Sequence, residues 1–163
     1  MQTYQGQNRK LKEAHEEFLV KQTKQGFTPK WYIVFHLNHK PKRIDTHDWD
    51  KDIRHIKNML FQTLYGKYWK KSRDRARAIW GLEFGKGKVR PHINLLLEGA
   101  KSGHDRAYLH HIFNEDLPNR IRCMWSNEAE ITEVTSTNIC GYFLKECTPV
   151  FCPILYTISD IIT

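Results

Sequence analysis

Apolar residues follow two different periods along the first third of the chain. Residues 8–25 are rich in Lys, Glu and Gln with sparse apolar positions, which predicts a mostly solvated amphipathic helix. After Pro29, residues 31–37 form an aromatic and β-branched run, the composition of a buried strand. A second helix is predicted next, with Thr46 or Asp48 able to cap its start. Its apolar stripe consists of Ile53, Ile56, Leu60 and Leu64.

Two strand-like runs, residues 78–84 and 91–98, follow with only Gly85–Arg90 between them. The glycines and the short length of this segment predict a β-hairpin. Asp105 then opens another helical stretch, which carries apolar Leu109, Ile112 and Phe113.

The last part of the pattern is a short strand at residues 131–135 and a third apolar-striped helix from Ser136 or Thr137. The predicted order is therefore helix, β, α, β, β, α, β, α. This order favours an α+β domain, and 163 residues are enough to bury its core. We expect an N-terminal helical extension at residues 1–30, the main domain at 31–150, and an apolar segment at 151–163 that continues in the full-length protein.

Charge narrows the range of partners. The 26 Lys and Arg against 18 Asp and Glu give a net charge of +8, which favours nucleic acid or an anionic membrane surface. No apolar run approaches a membrane span and the N-terminus lacks a secretory signal, so a soluble, cytoplasmic protein without membrane attachment is expected. The four cysteines form no Cys-x-x-Cys pair and are interpreted as reduced, mostly buried thiols.

A group of candidate metal ligands lies on the predicted hairpin. His92 and Asn94 are two residues apart, so they project from one face of their strand. If Gly87 and Lys88 form the turn, Glu83 faces His92, with Cβ atoms about 5 Å apart. One nitrogen and two oxygens suit Mn²⁺ or Mg²⁺ better than structural zinc. The alternative is an ordinary hydrogen-bonded His92, with Glu83 paired to a neighbouring basic residue.

The third helix carries a candidate nucleophile. Tyr142 and Lys145 share one face of this helix, opposite its apolar side. A nearby cation favours the phenolate, and Lys145 could supply that charge or hold a phosphate. Alternatively, Tyr142 is a packing residue like others of the seven tyrosines.

Three stretches in order carry a resemblance to a known family. Phe35-His-Leu-Asn38, Pro91-His-Ile-Asn94 and Tyr142-Phe-Leu-Lys145 resemble the three motifs of the HUH endonuclease superfamily, especially the nuclease domain of rolling-circle replication initiators (Rep proteins) of plasmids, phages and viruses. Glu83 matches the extra acidic ligand of many initiators. The likeness covers about residues 31–147. Each motif is short, and only the combination is specific.

The resemblance implies a fold and an activity. The fold would be a central antiparallel sheet of about four to five strands flanked by helices, a ferredoxin-like variant. Tyr142, with Lys145, would attack a phosphate of single-stranded or hairpin DNA at a replication origin and form a 5′-phosphotyrosine intermediate. His92, Asn94 and Glu83 would hold Mn²⁺ or Mg²⁺. The chain departs from the motif at Asn94, where the family has a second histidine, so weaker or altered metal binding is expected. It also lacks a phosphate-binding helicase loop.

Basic residues provide candidate DNA contacts, although a solvated helix end is an equal alternative for the first group. Tyr68 and Trp69 are candidates for base stacking. The basic residues are Lys70, Lys71 and Arg73, and Lys86, Lys88 and Arg90 at the hairpin tip.

Other functions remain open at this stage. An HUH transposase or relaxase is the nearest rival enzyme. A non-catalytic module that binds single-stranded nucleic acid would share the same charge and sheet, and aromatic residues on the first strand, Tyr32 and Phe35, leave RNA binding open.

Overall fold

The computed structural model describes residues 4–38, 48–71, 76–84, 91–99, 104–135 and 154–156. The helices are α1 (Tyr4–Lys24), α2 (Trp49–Tyr65), α3 (Arg106–His111) and α4 (Leu117–Arg120). The strands are β1 (Pro29–His36), β2 (Ala78–Phe84), β3 (Pro91–Glu98), β4 (Glu130–Glu133) and β5 (Ile154–Tyr156). The predicted third helix, from residue 136 or 137, lies outside the described residues.

The strands form one antiparallel sheet in the order β4-β1-β3-β2-β5. From β1 to β4 the chain follows a βαββαβ path, and the sheet order 4-1-3-2 is that of a ferredoxin-like fold. The predicted α+β class and the antiparallel β2–β3 pair are confirmed. β5 adds a strand from the C-terminal segment along the free edge of β2.

Alternation along the strands separates the two faces of the sheet. Trp31, Ile33 and Phe35 point into the main core, where they join alternate residues of β2 and β3. The stripe of α2 closes this core: Ile53, Ile56 and Leu60 are fully buried, as the sequence predicted. Asp48 caps α2 by accepting a hydrogen bond from the Lys51 N–H at 3.1 Å.

The second face of the sheet is covered by α1 at one end. Leu19 of α1 and Phe27 pack there against Ile79 and Leu96. The segment 1–30 therefore contributes side chains to the folded unit, and β1 itself begins at Pro29. The remainder of this second face carries polar side chains and is called the site face below.

The helical stretch after Asp105 differs from a regular helix. Asp105 caps α3 through the Tyr108 N–H, as predicted, but a π-helical turn at Ile112–Asp116 separates α3 from α4. Pro118 lacks the N–H that would continue regular bonding into this turn. The buried Asn114 side chain pairs with both backbone groups of Ala129 and so fixes the loop that leads to β4. None of the described helices is both long and apolar enough to cross a membrane.

Candidate active site

The pairing of β2 with β3 places the predicted ligands side by side. Glu83 lies directly opposite His92, and Gly81 lies opposite Asn94. This is the register predicted from a turn at Gly87 and Lys88, although the turn residues themselves lie outside the described ranges. His92 and Asn94 both project onto the site face, while Ile93 is buried in the core on the other side.

A continuous chain of hydrogen bonds connects these side chains. The His92 Nε2 lies 3.2 Å from the Glu83 Oε2, and the Asn94 Nδ2 donates to the same oxygen at 2.9 Å. The Tyr32 hydroxyl, from β1, donates to the Asn94 Oδ1 at 3.0 Å. Asn94 is thus held between a hydroxyl and a carboxylate.

Burial makes this chain of bonds costly to leave incomplete. Glu83 is 6% exposed and Asn94 is 1% exposed. A carboxylate removed from water to this extent needs hydrogen bonds or a cation to offset its lost hydration. Both hydrogen bonds to Glu83 are accepted by Oε2, so two N–H groups offset the negative charge of this oxygen.

One pair of candidate ligand atoms has the spacing that a small divalent cation requires. Mg²⁺ holds its ligands at about 2.1 Å in an octahedron, so adjacent ligand atoms lie about 3 Å apart. The His92 Nε2 and the Glu83 Oε2, 3.2 Å apart, match this value. The third contact, at 2.9 Å, joins Oε2 to the Asn94 Nδ2, which is not a metal ligand. Asn94 would have to turn its amide so that Oδ1 faces the cation. The Tyr32 hydroxyl can both donate and accept, so it satisfies either orientation of the amide.

A second histidine lies in the same row of the sheet. His36, on β1, is directly opposite His92, with ring centroids 5.6 Å apart. Its Nδ1 lies 3.8 Å from the Glu128 Oε2. We define the site row as His36, His92 and Glu83, on β1, β3 and β2 in that order. His36 was predicted as part of a motif but not of the site, because the sequence carries no signal that β1 pairs with β3.

The described part of the chain contains no cluster of three or more His, Cys, Asp and Glu side chains that could hold a metal ion. The Asn94 amide lies beside the Glu83 and His92 pair.

Most of the other predicted site residues lie outside the described residues. Their place at the site therefore stays a prediction. They are Tyr142, Lys145, Lys86, Lys88, Arg90 and Arg73.

Lys70 and Lys71 are exposed on a short 3-10 turn after α2. The end of α2 is tied to the start of β2, because the Ala76 N–H donates to the Tyr65 hydroxyl at 2.8 Å. Glu83 lies near the other end of β2, about 17 Å along the strand from its first residue. The two lysines and the Glu83 site are therefore at opposite ends of β2.

The prediction that Trp69 stacks on a base is wrong. Trp69 is 5% exposed and stacks on Phe61 inside the main core, with centroids 5.1 Å apart. The 3-10 turn directs the indole inward, where burial of its large apolar surface stabilises the fold. Tyr68 is 70% exposed.

Comparisons of this chain with protein family models, curated proteins and solved structures found no match.

Proposed function

We propose that this chain is an HUH-type endonuclease that nicks and joins single-stranded DNA and so initiates rolling-circle replication of a plasmid, phage or virus. The observation that supports this most is the convergence of His92 and Asn94 on one buried oxygen of Glu83. The basic charge of +8 supports a polyanionic substrate.

In this proposal Glu83, His92 and Asn94 hold Mn²⁺ or Mg²⁺ through Oε2, Nε2 and Oδ1. When bound, the metal would supply positive charge that polarises the scissile phosphate. Tyr32 acts as a positioning residue, because its hydroxyl fixes the Asn94 amide from the neighbouring strand.

The nucleophile in this proposal is Tyr142, assigned from its motif. Its phenolic oxygen forms a bond to phosphorus and loses a proton. The bond from phosphorus to the 3′ oxygen breaks, and that oxygen takes up a proton. Lys145, three residues further along the predicted helix, holds the phosphate or stabilises the phenolate. A later 3′-hydroxyl reverses these steps and joins the DNA.

A cleavage assay tests the role of the ligands. A library of single-stranded oligonucleotides is incubated with the protein, with and without Mn²⁺, and products are separated on denaturing gels. We expect cleavage only with Mn²⁺, and a loss of at least about 100-fold in Glu83→Gln and His92→Ala, because charge stabilisation of this kind supplies several kcal/mol.

His111→Ala is the matched control, since His111 is an exposed histidine on α3, outside the site row. It should cut like the wild-type protein. Binding of single strands without metal-dependent cleavage would instead favour a non-catalytic binding module.

A further inference from the structure

An exposed tryptophan lies next to the site row. Among the residues whose side-chain burial the structure describes, the exposed large hydrophobic residues are Val20, Tyr68 and Trp125, and Trp125 is 41% exposed. Single exposed hydrophobic residues are common on protein surfaces, so the position of Trp125 relative to the site row is what bears on its role.

Backbone pairing places Trp125 on the site face. Leu37 and Met124 form an isolated antiparallel bridge just beyond the end of β1, and both side chains are buried in the main core. The Trp125 N–H donates to the His36 carbonyl at 3.2 Å. Trp125 is thus the cross-strand neighbour of His36, and adjacent residues alternate between faces. Trp125 therefore extends the site row beyond His36, about 10 Å from His92, or two strand spacings.

The loop that carries Trp125 is held at several points. The Asn38 N–H donates to the Cys123 carbonyl at 2.6 Å, and Ile121, which precedes Trp125 in the chain, is buried. After Trp125 in the chain, the Ala129 N–H donates to the Asn114 side chain at 2.8 Å. An aromatic ring on such a fixed backbone loses little conformational entropy on binding.

The charges near Trp125 distinguish a base from a phosphate. Glu128 follows it in the same loop, with its carboxylate 3.8 Å from the His36 ring nitrogen. A carboxylate repels the phosphate backbone but not the neutral face of a nucleobase. The face of an aromatic ring binds any base by stacking.

We propose that Trp125 is a stacking platform for one unpaired base of the DNA strand, next to the phosphate that a metal at Glu83 and His92 would polarise. This inference depends on the proposed function, because it assigns a subsite of the same site face. It predicts that the protein requires an unpaired base at a fixed distance from the cleaved bond.

The test combines protein variants with an abasic scan. The probe is the single strand that the wild-type protein cuts, labelled with fluorescein and studied by anisotropy without divalent metal. Trp125→Leu keeps an apolar side chain but removes the π face, whereas Trp125→Phe keeps an aromatic ring. We expect Trp125→Leu to weaken binding about ten-fold and Trp125→Phe to stay within about three-fold.

In wild-type protein, an abasic nucleotide at one position should weaken binding by a similar factor. In Trp125→Leu this penalty should disappear, because the stacking partner is already missing. Thermal unfolding of the variants checks that the fold is kept.

Two results would overturn the inference in different ways. If wild-type protein cuts DNA but Trp125→Leu binds equally well and shows the same abasic profile, the stacking platform is wrong and the proposed function remains. If the wild-type protein cuts no single strand with Mn²⁺, the proposed function fails, and the inference fails with it.

Discussion

The Asn94 Nδ2 donates a hydrogen bond to the Glu83 Oε2 at 2.9 Å, and this bond links β3 to β2 beside the site row. The family that the motifs resemble has a histidine at this position. In this chain the amide contacts the acid and accepts a hydrogen bond from Tyr32 on β1. The Asn94 side chain is thus held by a local network that spans three strands.

Tyr32→Phe tests whether this network positions a metal ligand. Removing the hydroxyl leaves the Asn94 Oδ1 without its 3.0 Å donor. We expect Mn²⁺ affinity, measured by isothermal titration calorimetry, to fall about ten-fold, as for other residues that orient ligands. Stability should fall by about 1 kcal/mol.

Tyr108→Phe is the matched control, because Tyr108 lies on α3 and packs against the main core. It should leave Mn²⁺ affinity unchanged. An unchanged Mn²⁺ affinity in Tyr32→Phe would show that Asn94 does not depend on this hydroxyl.

Glu98 and Arg77 should stabilise the fold at the other end of the sheet. Glu98 accepts from the Thr28 N–H at 3.1 Å, from the Arg77 N–H at 2.9 Å and from the Arg77 guanidinium at 2.7 Å. Arg77 also donates to the carbonyls of Gln25 and Gly26. This connects the end of α1 to the starts of β1 and β2.

Glu98→Ala should therefore lower the free energy of unfolding by about 2 kcal/mol in urea titrations, because two backbone N–H groups lose their acceptor. Alanine at Arg106, an exposed residue of α3, should cost less than about 0.5 kcal/mol. Equal losses in the two variants would show that the connection contributes little.

Cys123 should react slowly in the folded protein. Burial, followed by the charge of Asp52, raises the pKa of this thiol from 9.0 to about 11. The difference, 11 − 9.0, is about two pH units, so the thiolate is about 100-fold scarcer at neutral pH than in the unfolded chain.

Peptide-level mass spectrometry after iodoacetamide treatment should show at least ten-fold slower alkylation of Cys123 in native protein than in denaturant. The raised pKa also means that the folded state keeps a proton that the unfolded state loses. Stability should therefore fall between about pH 9 and pH 11, and Cys123→Ala should reduce this slope. Equal alkylation rates in the folded and unfolded protein would contradict the burial of the thiol.

The two basic groups should differ in their effect on the salt dependence of binding. Each phosphate contact adds about 0.7 to the slope of log affinity against log salt on single strands. The triple alanine variant at Lys86, Lys88 and Arg90 should lower this slope by about two, because these residues flank the strands that carry Glu83 and His92.

Alanine at Lys70 and Lys71 should change the slope by less, since their turn lies at the far end of β2. Anisotropy titrations at several salt concentrations measure both variants. A larger change of the slope in the Lys70 and Lys71 variant would indicate that the DNA binds away from the site row.

Local chemistry made much of the fold predictable. The bounds of β2 and β3 and the caps Asp48 and Asp105 follow from period-two alternation and from short acidic side chains. The Glu83 and His92 pairing could also be predicted, because a short hairpin loop fixes the register.

Features that depend on long-range pairing could not be predicted in this way. His36 and Trp125 reach the site row only because β1 lies beside β3 and the loop before β4 pairs with the end of β1. Sequence patterns of single elements contain no information about which strands become neighbours. Trp69 was misassigned for a related reason, since a 3-10 turn decided which way its ring faces.

Identification of a covalent adduct tests the central claim most directly. Wild-type protein is incubated with the oligonucleotide library and Mn²⁺, digested with protease and nuclease, and sequenced by mass spectrometry. We expect a nucleotide bound through a 5′-phosphate to Tyr142, absent without Mn²⁺ and absent in Tyr142→Phe. Cleavage without any protein adduct, or an adduct that persists in Tyr142→Phe, would contradict the account.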